Sequence, residues 1–363
     1  MAHNLSGRAR GDLLQVTRRC ARSVLVSHAA ARVQIRPMPI RLLSEDDARR
    51  LITPSQAIAA CRDAYARLAE GRAELPAVIT LEVKERHGEV HAKGGYLHGT
   101  PRFSIKVATG FCQNPSLGLP STSGAVWVFS AVTGVLEAMI LDNGWLTELR
   151  TGAAGAVAAD VLARREVETV GIVGAGMQAR YQLEALLQVR TPRRILVASR
   201  NASRAAAYAA EMSERVGRRI EVAPSVEALV RVSDCIVTTT PSDTPVVQDV
   251  WVQPGTHITA MGSDMAHKRE LAPGLLGRAT VVVDRLSQCL TQGELHHAVL
   301  AGTIRAEDVR GELGEVIVGR RPGRTSDDEI TIADQTGVGV LDAAVANVVA
   351  ERAEREGVGR FVD

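Results

Sequence analysis

The chain has 363 residues, of which 45% are hydrophobic and 23% are charged. Because domains usually contain about 100 to 150 residues, this length allows two domains with sizeable cores and excludes a small disulfide-stabilised fold. The 43 basic and 41 acidic residues leave a formal charge of +2, which does not indicate nucleic-acid binding. The five cysteines are scattered without a C-x-x-C pair, so we expect a cytoplasmic protein without a disulfide framework or a zinc knuckle.

Residues 1–37 carry seven arginines and a single acidic residue, Asp12, and they show no sustained apolar face. We expect this segment to be a disordered basic extension outside the folded core. It has the composition of a transit peptide, but it also fits an upstream extension from a mis-set start, with Met38 as the functional beginning. We favour the second interpretation.

Two helix starts follow, near Ser44 and at Thr53. Each is a hydroxyl residue that can cap a helix, and each is followed three positions later by a side chain that can complete a capping box. Pro54 occupies the first helical position after Thr53, and we expect Gly71 to end this second helix.

Residues 75–141 contain short β-rich runs separated by glycine and proline, among them 103–108 and 125–129. We therefore predict an antiparallel or mixed sheet for this part of the chain. The most apolar long stretch, residues 124–141, contains polar residues and a Thr-Gly turn, so it indicates two strands and not a membrane span.

From residue 151 the pattern changes to alternating helices and strands. A helix of small residues is predicted over 151–162, and a last apolar helix over 338–350. Between them lie alternating strand and helix signals, at 169–173, 178–188, 194–198, 202–216, 220–223, 235–240, 257–261 and 280–283. Alternation at this spacing predicts an α/β fold with a doubly wound parallel sheet of the Rossmann type.

The sharpest motif joins the strand 169–173 to the following helix in the pattern G-x-G-x-x-A. Gly174 permits a tight turn, Gly176 lets the backbone approach a pyrophosphate, and Ala179 allows close packing of helix and strand. Unpaired N–H groups at the helix start, from Met177 onward, can bind the anion. The alternative, a glycine-rich turn without a ligand, is disfavoured by the strand before the motif and the βα units after it.

The second strand of the parallel sheet ends at Ser199, Arg200 and Asn201, where an NAD enzyme usually carries an acidic residue for the ribose hydroxyls. That acid is absent here. Arg200, with Ser199 and with Arg204 in the next helix, can instead bind a 2′-phosphate, so NADP is the preferred cofactor. NAD remains the alternative if the arginines only face solvent.

Several segments resemble the ornithine cyclodeaminase/mu-crystallin family, and the resemblance extends from about Met38 to the C-terminus. The segments that carry it are IKVATGF (105–111), LTELRTGAA (146–154), GAGMQ (174–178), MGSD (261–264) and KREL (268–271). Within the family, HAKGGY (91–96) and RPGRTS (321–326) look most like the branch of ectoine-utilisation cyclodeaminase homologues and iminosuccinate reductase.

The resemblance implies an active site between a Rossmann domain and a β-rich domain that binds substrate and forms a homodimer. On this basis we expect the first part of the substrate-binding and dimerisation domain at residues 38–148 and the dinucleotide-binding domain at 149–300. Residues 301–363 are expected to return to the first domain.

The resemblance further implies that Lys106 and Arg150 hold the carboxylate of an α-amino or α-imino acid, and that Asp264 exchanges a proton with its nitrogen. A fixed carboxylate would position Cα for hydride transfer, and an acid can protonate an imine. Simpler interpretations stay open at this point. Arg150 could pair with Glu148, Lys106 could be an exposed strand residue, and Asp264 could cap a turn.

By the same resemblance, further residues are expected to line the dinucleotide: Thr151, Gln178, Thr239, Thr240, Met261, Gly262, Ser263 and Ser121. One position departs from the family, because Ala77 follows Pro76 where many members carry an arginine. Lys93 is our candidate to replace this contact with the substrate, although it could equally be an exposed strand lysine.

Glu294 and His297, with His296 beside them, have the spacing of metal ligands on one helix face. Because a third ligand is lacking, we interpret them as residues of a solvated helix, and we interpret His87 and His91 in the same way. We therefore expect no metal centre.

Three functions are compatible with these residues. The first is an NAD(P)H-dependent reductase of α-imino acids or cyclic ketimines. The second is a cyclodeaminase, in which bound NAD oxidises an amino acid, ammonia leaves and the hydride returns. The third is a dinucleotide-binding protein without useful turnover, like mu-crystallin in its structural role, and the presence of Lys106, Arg150 and Asp264 argues against it.

Overall fold

The structure, a computed structural model, describes residues 38–111 and 113–362. The predicted basic extension, residues 1–37, lies outside the described residues. From Pro39 onward the chain forms a single compact unit that contains two sheets. Within the described ranges, no helix combines the length and the hydrophobicity that crossing a membrane requires.

The first sheet is mixed and has eight strands in the described part of the chain. They are β1 (Ile40–Ser44), β2 (Ala73–Glu74), β3 (Ile79–Val83), β4 (Gly88–Leu97), β5 (Arg102–Phe111), β6 (Thr122–Ser130), β7 (Leu136–Leu141) and β16 (Arg360–Val362). Their order is β16-β1-β7-β6-β5-β4-β2, with β3 also paired to β4. β1 and β7 are parallel, and the other pairs are antiparallel, as the prediction of an antiparallel or mixed sheet allowed.

The second sheet is entirely parallel and also has eight strands among the described residues. They are β8 (Thr169–Val173), β9 (Arg194–Ala198), β10 (Ile220–Val222), β11 (Cys235–Thr238), β12 (His257–Ala260), β13 (Thr280–Val283), β14 (Gly311–Glu312) and β15 (Thr331–Asp334). The order β10-β9-β8-β11-β12-β15-β13-β14 confirms the predicted doubly wound α/β fold. The winding reverses between β8 and β11, which is where such sheets bind ligands.

The helices of the described residues are, in chain order, α1 (Glu45–Leu51), α2 (Pro54–Ala69), α3 (Trp145–Leu162), α4 (Met177–Leu186), α5 (Ala202–Val216), α6 (Val226–Val230), α7 (Pro273–Leu276), α8 (Leu286–Cys289), α9 (Gly293–Leu300), α10 (Leu313–Ile317) and α11 (Gly339–Glu356). The two predicted capping boxes are confirmed. The side chains of Ser44 and Thr53 accept hydrogen bonds from the backbone N–H groups three residues later, at the starts of α1 and α2.

α3 begins at Trp145, six residues earlier than the small-residue pattern predicted. The carboxylate of Asp142 accepts a 2.6 Å hydrogen bond from the backbone N–H of Leu146 and so caps this first turn. Glu148 and Arg150 are polar but buried in the same turns, which hides the apolar periodicity that would have marked the helix.

The parallel sheet continues beyond the predicted domain boundary at residue 300, which is a correction to the sequence interpretation. β15 lies between β12 and β13, in the middle of the sheet, and β14 forms one of its edges. β15 includes the buried acid Asp334 among its four residues, and this charged residue interrupts the apolar run that marks a central parallel strand. Beyond β15 the chain does reach the first sheet, since α11 packs against β4 and β5 and β16 pairs with β1.

Hydrophobic cores cover one face of the mixed sheet and both faces of the parallel sheet. The first core joins Val128 and Ile140 on the inner face of the mixed sheet to α2, α3 and α11. α3 also contacts β12 and β15 of the parallel sheet, and α11 follows β15 after a short loop. These two helices therefore lie between the sheets. Side chains from both sheets can therefore meet around α3 and α11.

Candidate active site

The glycine-rich turn after β8 has the geometry that a dinucleotide site needs. Gly174 has a φ of +116°, and a Cβ at this position would lie 2.5 Å from Thr239 Oγ1, so no other residue fits. Gly176 faces open space, and α4 begins at Met177 without a side-chain cap. The first N–H groups of α4 therefore remain available to a pyrophosphate.

The turn that follows β9, residues 199–201, lies at the surface. β9 is the neighbour of β8 in the parallel sheet. Asn201 caps α5 by accepting a 3.1 Å hydrogen bond from the N–H of Arg204. Ser199 Oγ accepts a 3.2 Å hydrogen bond from the N–H of Asn201, which shapes the turn. The side chains of Arg200 and Arg204 are exposed, as contact with a 2′-phosphate would require.

A buried glutamate that sequence reasoning missed joins the loops after β11 and β12. Glu270 accepts hydrogen bonds from Thr238 Oγ1 at 2.6 Å, from the N–H and Oγ1 of Thr240 at 2.5 and 2.7 Å, and from the N–H of Gly262 at 2.8 Å. Burial raises the pKa of Glu270 to about 7 despite these donors. The carboxyl group thus ties together two loops that contain the predicted dinucleotide contacts Thr239 to Thr240 and Met261 to Ser263.

The other predicted dinucleotide contacts lie near the start of α4 or at the mixed sheet. Gln178 donates to the Glu148 carboxylate, and the neighbouring Gln182 donates a 2.9 Å hydrogen bond to the carbonyl of Thr151. Ser121 lies just before β6, where its carbonyl accepts a 2.7 Å hydrogen bond from Phe111. Glu148 therefore pairs with Gln178, and the interpretation of Arg150 as its partner is wrong.

Three basic side chains that the sequence analysis selected come together between the sheets. Lys93 on β4 and Lys106 on β5 are direct cross-strand partners, and Arg150 lies on α3. Their exposed fractions are 8%, 2% and 5%, so none of them faces bulk solvent. The interpretation of either lysine as an exposed strand residue is wrong, because it is Ile105 that faces outward, with 40% of its surface exposed.

An aspartate on α11, not selected from the sequence, bridges two of these cations. Asp342 Oδ1 lies 2.9 Å from Arg150 Nε and 3.1 Å from Lys106 Nζ. Burial alone would raise the pKa of Asp342, but Arg150 and Lys106 outweigh burial and lower it. Asp342 is the one charged residue in the predicted helix 338–350, and this is the signal that could have identified it.

The loop between β15 and α11 completes the basic cluster. Lys93 Nζ donates hydrogen bonds to the carbonyls of Gly337 at 2.8 Å and Thr336 at 3.3 Å. Asp284, at the end of β13, holds this loop by accepting from the N–H groups of Thr336 at 2.9 Å and Gly337 at 2.6 Å. A Cβ on Gly337 would lie 3.0 Å from Arg150 Nη1 and 3.3 Å from Lys93 Nζ, so both cations point at this glycine.

Burial makes the charges of the two lysines costly. Burial lowers the pKa of Lys106 to about 7. The attraction of Asp342 raises this pKa, whereas the repulsion of Arg150 lowers it further. Burial and Arg150 also lower the pKa of Lys93, while Asp342 and Asp264 counteract this effect. A bound anion would relieve the excess of buried positive charge, so the cluster is suited to a carboxylate.

Asp264 follows β12, and 48% of its side chain is exposed. Its carboxylate pairs with Lys268 Nζ at 2.9 Å, and the same ammonium group lies 3.3 Å from Glu89 on β4. Lys268 therefore links the loop that carries Asp264 to the mixed sheet. A turn does follow Asp264, closed by a 3.0 Å hydrogen bond from the N–H of Lys268 to the carbonyl of Met265. Among the described residues the Asp264 carboxylate accepts from Lys268 Nζ and from no backbone N–H, so the interpretation of Asp264 as the cap of this turn is wrong.

The pair Glu294 and His297 has a structural role. Glu294 is buried and accepts hydrogen bonds from the backbone N–H groups of Glu270 at 2.7 Å and Leu271 at 3.0 Å, so it does not belong to a solvated face. The ring of His297 contacts the carbonyl of Lys268 at 2.9 Å. Among the residues that the structure describes, no cluster of three or more His, Cys, Asp or Glu side chains could hold a metal ion.

Comparison with known proteins identifies the family. A sequence model of the ornithine cyclodeaminase/mu-crystallin family matches residues 41–357. The chain therefore belongs to this family, which confirms the resemblance. The iminosuccinate reductase of Paracoccus denitrificans is 34% identical over 89% of this chain and 99% of its own length.

Two solved structures extend the comparison to the fold. The Thermococcus litoralis Δ1-pyrroline-2-carboxylate reductase, in complex with NADH and L-proline, is 32% identical with a TM-score of 0.86, covering 89% of this chain and 100% of its own. An archaeal alanine dehydrogenase, a dimer with bound NAD, is 37% identical with a TM-score of 0.84, covering 90% of this chain and 99% of its own.

Proposed function

We propose that this protein is an NAD(P)H-dependent reductase of α-imino acids or cyclic ketimines that interconverts the imine and the amino acid. The observation that carries the proposal is the convergence of Lys93, Lys106 and Arg150 in a buried cluster beside the loop after β15. This loop follows the carboxyl edge of the parallel sheet, where doubly wound folds bind their ligands. The two reductases described above give independent support.

The basic cluster would hold the substrate's acid group. Arg150 offers a planar pair of donors and Lys106 a compact ammonium group, and together they fix a carboxylate in one orientation. With the carboxylate fixed, the neighbouring Cα has a defined position, which favours reaction by orientation. Lys93 is placed to contact a second polar group of the substrate.

Asp264 would exchange the proton that the reaction requires. When the imine is reduced, the carboxyl group donates a proton to the imine nitrogen, and in the reverse direction the carboxylate accepts one from the amine. Lys268 contacts the Asp264 carboxylate at 2.9 Å, and its link to Glu89 holds Asp264 towards the mixed sheet.

The turn after β8 fits a nicotinamide dinucleotide, which supplies or accepts the hydride when it is bound. Gly174, Gly176 and the start of α4 at Met177 would contact the pyrophosphate, as described above. Thr151, Gln178, Thr239, Thr240, Met261, Gly262, Ser263 and Ser121 are our candidates for the remaining contacts. We prefer NADP over NAD because Arg200 is exposed and an acidic residue is lacking at the end of β9.

A cyclodeaminase is the second candidate, because the family includes such enzymes and the same residues would serve it. In that reaction the hydride is removed from Cα and later returned, so the cofactor shows no net change. The two functions therefore differ in stoichiometry. A binding protein without turnover is a third candidate, and the retained cluster of buried charges argues against it, because such charges are costly without a ligand.

The deciding experiment is a panel of oxoacid and amine mixtures, cyclic ketimines, amino acids and diamino acids. Each is assayed for absorbance at 340 nm with NADPH or NADH, or with their oxidised forms, and for released ammonia. Net oxidation of the reduced cofactor by an imine supports the reductase. Ammonia release from a diamino acid without a net change in absorbance contradicts it and favours the cyclodeaminase.

We further propose that a second copy of the chain covers the outer face of the mixed sheet. This face exposes Ile79, Leu81 and Ile105, with 71%, 56% and 40% of their surfaces accessible. A cluster of exposed apolar side chains on a sheet commonly marks an interface between proteins. Sedimentation velocity should give a dimer, and Ile79→Lys with Leu81→Lys should give monomers; a monomeric wild-type protein would contradict this assignment.

A further inference from the structure

Asp342 is buried against two of the cations that are expected to bind the substrate. The residue lies in the first turn of α11, and 3% of its side chain is exposed. Oδ1 accepts from Arg150 Nε at 2.9 Å and lies 3.1 Å from Lys106 Nζ, while Oδ2 is buried and has no hydrogen-bond partner among the described residues. One carboxylate oxygen therefore aligns the two cations that are expected to bind the substrate.

The arrangement leaves the useful side of each cation available to a ligand. Asp342 contacts Arg150 through Nε, whereas Nη1 and Nη2 lie on the side that faces Gly337. These two nitrogens can still form a paired contact with a carboxylate. Lys106 has three donor hydrogens, and one contact with Asp342 leaves two for a ligand.

The charge of Lys106 depends on its surroundings in a way that the charge of Arg150 does not. An arginine keeps its proton in any protein environment, but a buried lysine can lose it. The charged or titratable groups that act on Lys106 come from several elements, and they are Asp342 on α11, Arg150 and Glu148 on α3, Lys93 on β4 and Asp142 after β7. Of these, Asp342 is the acid in direct contact with the ammonium group.

The other two acids are poorly suited to replace Asp342. Burial raises the pKa of Asp142 to about 6, and its carboxylate is engaged in capping α3. Burial also raises the pKa of Glu148, whose side chain accepts a hydrogen bond from Gln178. If Asp342 were neutral, Lys106 would have no close counterion. The repulsion from Lys93 and Arg150 would then favour the uncharged form of Lys106.

We propose that Asp342 is a positioning residue for substrate binding, which holds Lys106 and Arg150 side by side and favours the protonated form of Lys106 so that both donate to the substrate carboxylate. This inference rests on the proposed function for its substrate class, but not for the contact itself. Asp342 acts through the two cations, because its own negative charge would repel a carboxylate.

The protonation of Lys106 can be measured directly, because the chain has only four lysines, Lys84, Lys93, Lys106 and Lys268. In a protein labelled biosynthetically with 13C-lysine, the ε-methylene signals give four titration curves, and Lys106→Arg identifies the signal of interest. In Asp342→Asn, we expect the Lys106 titration to move down by about one pH unit or more. Lys84, which is exposed, should not change. An unchanged Lys106 titration would overturn the proposal.

A kinetic measurement then tests the positioning role with the substrate that the panel identifies. At pH 7 and above, Asp342→Asn should raise KM roughly tenfold or more, with a smaller effect on kcat, and Asp342→Glu should restore part of the affinity. Glu354→Gln is the matched control, because Glu354 is an acid of the same helix that pairs with Arg102 at the surface. Equal KM values for Asp342→Asn and the wild type would overturn the positioning role.

The two proposals fail in different ways. If no imine or amino acid is converted but the Lys106 titration still moves in Asp342→Asn, the proposed function fails and the effect of Asp342 on Lys106 stands. If imines are reduced while the titration and KM are unchanged in the variant, the proposed function stands and the role of Asp342 fails. Urea unfolding of each variant shows whether a changed KM reflects loss of the fold.

Discussion

Lys93 and Lys106 lie directly opposite each other on neighbouring antiparallel strands, and both ammonium groups are buried. Like charges in this position destabilise a sheet, and burial adds a desolvation cost. Asp342 contacts Lys106, while Lys93 donates, within the described part of the chain, to backbone carbonyls alone. The protein therefore carries an excess of buried positive charge in this region that a bound carboxylate would balance.

Replacement of Lys106 should separate stability from function. Lys106→Met removes a buried charge and leaves Asp342 paired with Arg150, so we expect the free energy of unfolding to be unchanged or raised by up to about 2 kcal/mol. Turnover should fall strongly, because one donor to the carboxylate is lost. Urea unfolding and steady-state kinetics measure the two effects. Lys84→Met, at an exposed lysine, is the control, and a clear loss of stability in Lys106→Met would contradict the argument.

Gly337 lies against Arg150 and Lys93, so a side chain at this position should displace the cations that are expected to bind the substrate. Its φ is +83°, and a Cβ would lie 3.0 Å from Arg150 Nη1. Gly337→Ala should cost about 1 kcal/mol of stability through backbone strain, and it should also raise KM by displacing Arg150. Gly357→Ala, at a φ of +66° with nothing within 4 Å of a Cβ, should cost similar stability and leave KM unchanged. Equal KM values in the two variants would show that Gly337 does not face the substrate.

Asp264→Asn tests the assignment of the proton donor. The amide cannot supply the proton, so turnover should fall roughly 10²- to 10⁴-fold while the dinucleotide still binds. Fluorescence titration with the reduced cofactor gives the binding constant, and stopped-flow absorbance gives the rate. Asp308→Asn is the control, because Asp308 is an exposed acid that pairs with Arg305 at 2.7 Å. Full activity in Asp264→Asn would remove Asp264 from the mechanism.

Arg200→Ala tests the cofactor preference. If Arg200 contacts a 2′-phosphate, its loss should weaken NADPH binding roughly 10- to 100-fold and leave NADH binding nearly unchanged. Arg193→Ala is the control, since Arg193 is an exposed arginine that comes just before β9. Equal losses for both cofactors would count against the preference for NADP.

His257 predicts a specific dependence of stability on pH. Burial, together with Arg324 and Arg190, lowers its pKa from 6.5 to about 3, so below pH 6.5 the unfolded chain binds a proton that the folded protein does not. Its contribution is present above pH 6.5 and is lost progressively as the pH falls towards 3, by about 2 kcal/mol at pH 5.

His257→Gln should remove this dependence. The difference in urea-unfolding free energy between pH 7 and pH 5 should be about 2 kcal/mol more destabilising for the wild type than for the variant. The comparison is made between variants because Glu270 and Asp334, whose pKa values burial raises to about 7, act in the opposite direction in both proteins. An identical pH dependence would mean that folding does not lower the pKa of His257.

Much of the fold was encoded in short stretches of sequence. The capping boxes at Ser44 and Thr53 and the glycine turn at Gly174 each depend on residues within a few positions of one another. Such local geometry follows from side-chain and backbone preferences that the sequence states directly. The parallel strands up to β13 were also recognised, and the first three are separated by the predicted helices 178–188 and 202–216, whose period differs from that of a strand.

The site depended on contacts that sequence spacing does not express. Arg150 and Asp342 are 192 positions apart, and Lys93 reaches a carbonyl 244 positions away. The alternation around Lys106 predicted a strand but not the face that is buried, because a strand with one apolar and one polar face reads the same in either orientation. Only the packing of α11 on β5 decided that the lysine faces inward and that the isoleucine beside it faces outward.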